Sequence, residues 1–239
     1  MLHFVLTQPR YTRENLTIKE TATNNQYRFG MPGAMVSGSE YKKCLKILEQ
    51  QQESAYIVVS GSLPPGVPSG IFKKIAEISR AKNARLIVDT SGEALKEALK
   101  AGVYLIKPNL KELASLAGKQ NLTADDAEAA AKEVMNKYKC EVIVTSLGAG
   151  GALLITSAMC MKVEVPAVKT ESTVGAGDSM LAGIIYSLFN SRSLIEAARY
   201  GVACGTAATM NPGTELCHLK DVQKLYQIIN AALTSTAGF

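Results

Sequence analysis

Ala55-Tyr56-Ile57-Val58-Val59 is a short, almost unbroken apolar run, closed by Ser60-Gly61-Ser62-Leu63-Pro64-Pro65-Gly66. A strand with one wet face would alternate polar and apolar residues. A continuous run bounded by glycine and proline instead predicts a strand buried on both faces, as in a parallel sheet. The signal repeats outward from here. Upstream, a helix is predicted to open near Ser39, with Tyr41, Leu45 and Leu48 at helical spacing. Downstream, Ile71, Phe72, Ile75 and Ile78 mark a helix, followed by the strand Arg85-Leu86-Ile87-Val88. A helix around Ala94 to Leu99 and the strand Val103-Tyr104-Leu105-Ile106 come next. Thr123-Ala124-Asp125-Asp126 resembles a capping box for a helix running to about Tyr138, before the buried strand Val142-Ile143-Val144.

The ends break this alternation. Ala152 to Thr156 and Met161 to Val165 read as a hairpin, and helices are expected over about Ala176 to Phe189, Ile195 to Thr209 and Leu219 to Leu233. Residues 1 to 30 read as β-rich: Leu16-Thr17-Ile18-Lys19-Glu20 alternates, Asn24-Asn25 supplies a turn, and Gln26-Tyr27-Arg28-Phe29 resumes. Strands alternating with helices imply βαβ units, so the expected class is α/β, three-layered, with a mostly parallel sheet.

Bulk composition narrows the function. With 239 residues, 47% hydrophobic and 20% charged, the chain can bury one substantial α/β core. Its net charge of +5 is scattered among acids, as in Lys42-Lys43 and Lys73-Lys74, which reads as solvated helix faces and excludes a nucleic-acid stripe. A mild positive balance suits a protein that handles anionic phosphates. The five cysteines lack CxxC spacing, which argues against a zinc site or disulfide framework and for a reducing cytoplasm. The apolar start Met1 to Leu6 is interrupted by Gln8, Pro9 and Arg10, too short for a signal core or membrane span. His3 and His218 carry no motif and read as structural.

Ligands of parallel α/β sheets bind beyond the carboxyl ends of the strands. The punctuated loops fall there: Ser60 to Gly66, Asp89-Thr90-Ser91-Gly92, Lys107-Pro108-Asn109 and Ser146-Leu147-Gly148. The strongest element is Gly175-Ala176-Gly177-Asp178, immediately before an apolar helix. Glycines let consecutive N–H groups converge on an anion, and the helix start adds its positive end. An aspartate there can take the proton of an attacking hydroxyl while the amides stabilise a transferring phosphoryl group. Read alone, Asp178 is more readily a helix-capping residue, because glycine turns before helices are common.

Four motifs in order carry a resemblance. Ser172-Thr173-Val174-Gly175-Ala176-Gly177-Asp178-Ser179 resembles the C-terminal signature of the ribokinase-like (PfkB) carbohydrate kinases. Lys107-Pro108-Asn109-Leu110-Lys111-Glu112 is similar to the family's NxxE segment, Ser60 to Gly66 to its sugar-phosphate loop, and Asn211-Pro212-Gly213-Thr214 to its late nucleotide loop. The set is most similar to the minor bacterial 6-phosphofructokinase subgroup. A dinucleotide-binding dehydrogenase is a poor reading, because no GxGxxG follows the first strand.

The resemblance implies roles. Asp178 matches the catalytic base, and the amides of Gly175, Ala176 and Gly177 the anion hole. Asn109 and Glu112 match the segment that organises Mg²⁺ beside the triphosphate of ATP, and their i, i+3 spacing suits one helical face. Read alone, Glu112 is a first-turn acid favoured by the helix dipole. Lys107 matches a position near the ATP phosphates, and Ser146, Gly148, Thr170, Val202 and Thr206 match the nucleotide wall. Ser172, Val174, Ala208, Asn211 and Gly213 match positions holding a potassium ion. Arg13 and Ser62 match sugar-phosphate contacts, with Arg28 a second candidate and a solvent-facing strand charge as its plain alternative.

The resemblance also implies that residues 1–35 correspond to a β lid and 36–239 to the nucleotide-binding, phosphoryl-transfer domain. On that alignment about the first quarter of a family chain, with its sugar-clamping GGxxxN segment, has no counterpart here. The implied activity is phosphorylation of fructose 6-phosphate by ATP. Fructose 1-phosphate or tagatose 6-phosphate phosphorylation, and nucleotide binding without catalysis, stand as alternatives. A homodimer through the β lid is expected, with no nucleic-acid or membrane partner.

Overall fold

In the computed structural model, which describes residues 11–23, 25–52 and 54–234, each apolar run becomes a strand of one sheet. Strands β3 (Tyr56–Ser60), β4 (Arg85–Asp89), β5 (Val103–Ile106) and β6 (Cys140–Ser146) lie side by side and parallel in that order. β7 (Ala152–Thr156) and β8 (Cys160–Val163) extend it antiparallel, as the hairpin reading predicts, with the second strand starting one residue and ending two residues earlier than expected. β1 (Asn15–Lys19) and β2 (Gln26–Gly30) form a separate antiparallel pair. Asn24 of the predicted turn lies outside the described residues, as do Met1 to Leu6 and His3.

Alternation along each inner strand divides the core into two layers. Leu86, Val88, Ile106 and Ile143 face the helices α1 (Gly38–Gln50), α2 (Ile71–Ala81), α3 (Gly92–Ala101), α4 (Leu110–Leu116) and α5 (Ala127–Lys137). Ile87, Leu105, Val142 and Val144 face α6 (Ala176–Phe189), α7 (Leu194–Thr209) and α8 (Leu219–Thr234). Phe72, Ile87, Leu99, Leu105 and Ile143 are fully buried, each contributing about 1.5–3 kcal/mol of transfer free energy. The three-layer α/β reading therefore holds.

Local chemistry sets the helix starts. Ser37 and Glu40 close a reciprocal capping box on α1, and Ser193 and Glu196 do so on α7. The expected box at Thr123 exchanges its bonds, with Thr123 Oγ1 donating to Asp126 Oδ2 at 2.6 Å, but it closes only a turn. α5 begins after it, at Ala127.

β3 is a sheet edge without a charged side chain, and Val58 is 41% exposed on the face otherwise covered by α6 and α7. Tyr186 and Phe189 of α6 are also exposed.

Candidate active site

The carboxyl ends of β3, β4, β5 and β6 carry polar loops, and α6 begins among them. Gly175 has φ +76°, the left-handed region that costs an L side chain about 1–2 kcal/mol. A Cβ there would meet nothing within 4 Å, so the backbone angle, not space, calls for glycine. The turn leaves α6 with no side-chain cap, in contrast to α1, α4 and α7. Its first N–H groups, including those of Ala176 and Gly177, have no intrahelical acceptor and are available to an anion. Asp178 lies in this first turn, exposed to solvent.

Beneath the turn sits Lys107, only 7% exposed. Its Nζ is 3.3 Å from Asp89 Oδ2, and a Cβ added to Gly177 would lie 3.3 Å from the same Nζ. Gly177 is thus the residue that lets the ammonium approach the turn. Burial pushes the Asp89 carboxyl above the usual range; Lys107 opposes this, while Glu112 and Asp178 add to it. Three carboxylates therefore share the field of one buried lysine. Asp89 is absent from the residues singled out by the sequence reading. A single acid ending the run Leu86-Ile87-Val88-Asp89, at the ligand end of a strand, is the signal that could have found it.

Asn109 and Glu112 are brought together, but not on one helical face. Asn109 is the N-cap: its Oδ1 accepts from Glu112 N at 2.9 Å, and Glu112 Oε2 accepts from Asn109 N at 2.9 Å. The pair is a capping box, which presents Glu112 to the cleft over Ser91, Gly92 and Lys111. An isolated parallel bridge ties Asn109 to Ser146.

A cavity of about 530 Å³ opens beside Ala176 and Gly177. Ser146, Gly148, Thr170, Val202 and Thr206 all line it, with Met180 and Val168 adding apolar surface. Five residues chosen from two separate connections and one helix thus face one space.

The segment before α6 meets the loop after α7. Ser172, 1% exposed, donates from Oγ to Gly213 O at 2.7 Å and accepts from Val174 N at 3.2 Å. Asn211 Nδ2 donates to Leu216 O at 2.8 Å, and Asn211 N to Ala208 O at 3.3 Å. Ser172, Val174, Ala208, Asn211 and Gly213 therefore form one carbonyl-rich neighbourhood, a donor set suited to a monovalent cation. Among the described residues no three acidic, histidine or cysteine side chains form a metal cluster. Asp89, Glu112 and Asp178 fit a divalent ion held mainly by phosphate and water.

The hairpin leans onto the same region. Arg28 Nη2 donates to Thr173 Oγ1 at 3.3 Å, and Thr173 N donates to Gln26 Oε1 at 3.2 Å. Arg13 Nη1 donates to Ser62 Oγ at 3.1 Å and Arg13 Nε to Met31 O at 2.8 Å. Arg13 and Ser62 are brought together; Arg28 stands apart from them, against the segment leading to Gly175.

A family model described as pfkB family carbohydrate kinase matches residues 2–221. The ATP-dependent 6-phosphofructokinase isozyme 2 of Escherichia coli is 42% identical over 221 residues, 92% of this chain and 72% of that protein. The 1-phosphofructokinase of Bacillus subtilis is 34% identical, over 85% of this chain and 67% of that protein. The chain spans 64% of the length of the Mycobacterium tuberculosis isozyme 2. A crystal structure of the Escherichia coli protein in complex with potassium superposes with a TM-score of 0.86, covering 92% of this chain and 72% of that one. The same Escherichia coli protein also has a tetrameric inhibited form.

Proposed function

This chain belongs to the pfkB family of carbohydrate kinases, the lineage of ATP-dependent sugar-phosphate kinases, and from that premise we propose that it phosphorylates the C1 hydroxyl of fructose 6-phosphate. One observation carries the reading. The uncapped, glycine-built start of α6, bearing exposed Asp178, adjoins a cavity lined by all five nucleotide-wall residues, with Lys107 buried beneath.

In this reading Asp178 accepts the hydroxyl proton, and the amides of Ala176 and Gly177 hold the negative charge of the transferring group. Lys107 sits where it balances the phosphates. Asn109 and Glu112 orient water around Mg²⁺, which with bound ATP supplies charge neutralisation. Ser172, Val174, Ala208, Asn211 and Gly213 would hold K⁺, several of them through backbone carbonyls, beside the α6 turn. Arg13 and Ser62 bind the sugar's phosphate, and Arg28 braces the lid on Thr173. Residues 1–35 act as the lid and 36–239 as the transfer domain.

The hairpin supports a homodimer. Leu16 pairs with Phe29 and Ile18 with Tyr27, and all four side chains are exposed. An apolar two-stranded sheet is not stable alone in water. No helix among the described residues is long and apolar enough to cross a membrane. With five unpaired cysteines, this favours a cytoplasmic place.

The Bacillus subtilis relative favours fructose 1-phosphate as a second acceptor. A coupled assay of ADP release with fructose 6-phosphate, fructose 1-phosphate and tagatose 6-phosphate tests the choice. Highest kcat/KM on either of the latter two overturns it. ATP binding with no sugar-dependent ADP release would leave a nucleotide-binding chain.

A further inference from the structure

The β1–β2 hairpin turns its polar face, not its apolar one, toward its own domain. Side chains alternate along a strand, and residues paired across two strands share a face. Lys19 pairs with Gln26 and Thr17 with Arg28 on one face; Ile18 pairs with Tyr27 and Leu16 with Phe29 on the other. Thr17, Lys19 and Gln26 are half-buried, whereas the four apolar side chains are exposed.

That polar face grips three consecutive residues on the approach to the glycine turn. Lys19 Nζ donates to Glu171 O at 2.8 Å and lies 3.2 Å from Glu171 Oε2. Gln26 uses both ends of its carboxamide. Its Oε1 accepts from Thr173 N and from Thr173 Oγ1, each at 3.2 Å, and its Nε2 donates to Ser172 Oγ at 3.1 Å. A backbone N–H can only donate, so Thr173 N dictates which end of the amide faces it. From the opposite side, Thr209 O at the end of α7 accepts from Glu171 N at 2.8 Å and from Ser172 N at 3.2 Å.

The Ser172 hydroxyl is left with no freedom. It is buried, and it carries one hydrogen and two lone pairs. Gln26 Nε2 and Val174 N occupy the lone pairs, so the hydrogen points to Gly213 O, 2.7 Å away. One side chain of the hairpin thus sets how the segment before α6 meets the loop after α7. Thr173, held by the other end of the same amide, lines the cavity beside Ala176 and Gly177.

We propose that Gln26 is a positioning residue for phosphoryl transfer: it locks the Ser172 hydroxyl onto Gly213 and so fixes the backbone leading into the amides of Ala176 and Gly177. The inference rests on the reading of those amides and Asp178 as the transfer centre. Gln26 acts through Ser172 and Thr173 and touches no reacting atom. Lys19 holds the same segment through Glu171 alone, so its removal loosens the hairpin and leaves the Ser172 hydroxyl bonded.

Gln26→Leu and Lys19→Met in the full chain separate positioning from mere docking of the hairpin. Without any ligand, hydrogen exchange at the amides of Thr173 and Val174 should quicken about 2–10-fold in Gln26→Leu, the weight of one hydrogen bond. In Lys19→Met it should stay within about twofold of the parent. Gln26→Leu should lower kcat about 10–100-fold, with KM for the sugar phosphate held within about threefold. A hairpin that is only loosened would instead raise that KM by way of Arg13 and spare kcat. Equal exchange in the two variants, or a raised KM with unchanged kcat, would overturn the proposal. A parent chain with no sugar-dependent ADP release would refute the transfer reading, and with it the catalytic purpose of Gln26; the exchange comparison would still decide its hold on Ser172 and Thr173.

Discussion

Lys107 Nζ and Asp89 Oδ2 stand 3.3 Å apart, with side chains 7% and 17% exposed, directly below the turn that starts α6. A lysine and an aspartate this deep pair with one another, in the neighbourhood of Glu112 and Asp178. The pair links the ends of β4 and β5 to the glycine turn, so stability and chemistry meet at these two residues.

Lys107→Met should cost about 3–5 kcal/mol near neutral pH, because it strands a buried carboxylate. The sign with pH follows from Asp89. Its folded value is raised above 3.8, so the native state holds the proton more tightly than the unfolded chain. Stability from this group is present at low pH and lost as pH rises through the folded value. The thermal deficit of the variant should accordingly shrink as pH falls and its Asp89 takes up a proton. A deficit equal at pH 4 and 7.5 in calorimetric scans contradicts the pairing.

Asp178→Ala should lower kcat by about 10²–10⁴-fold, the range for removing a general base. ATP affinity by calorimetry should stay within about twofold, because the anion site is made of backbone amides. Near-normal turnover in the variant would remove Asp178 from the reaction.

Gly175→Ala should cost about 1–2 kcal/mol through its positive φ alone, since the added methyl has open space. For a chain of this size that is a fall of roughly 2–8 °C in Tm. Activity should fall further than stability, because the amides of the turn move with it. Thermal scans set beside saturation kinetics separate the two.

Arg13→Ala should raise KM for the sugar phosphate by about 10–100-fold while leaving KM for ATP unchanged. Arg13→Lys should recover little, because lysine lacks the planar fork that serves Ser62 and a phosphate together. Loss of ATP affinity in either variant would place Arg13 elsewhere.

Ile18→Lys should break self-association through the hairpin without unfolding the α/β core, which lies in a separate sheet. Sedimentation should show a lighter species, while the circular-dichroism spectrum persists. An unchanged mass would mean that the exposed Leu16, Ile18, Tyr27 and Phe29 face something other than a second copy.

Much of the fold is readable locally. Hydrophobic period and turn residues place α6 at Ala176–Phe189 with both ends matched, and α7, β3 and β7 within about one residue. The start of α5 is less readable. Thr123 and Asp126 exchange the bonds of a capping box, yet the turn they close does not continue as helix until Ala127. Asn109 and Glu112 show the reverse: an i, i+3 pair read for its place beside a metal also closes a capping box on its own helix.

From the sequence by itself come the strand–helix rhythm, the glycine turn that frees the amides before Asp178, and the order of the loops along one sheet edge. These depend on neighbours within a few residues, whose spacing is written directly in the chain. Only the tertiary structure decided that Lys107 pairs with Asp89, that Gln26 and Arg28 reach Thr173 from a separate hairpin, and that Ser172 meets Gly213. Such contacts depend on strand order, crossover geometry and side-chain reach, which act between distant segments and leave no period to read.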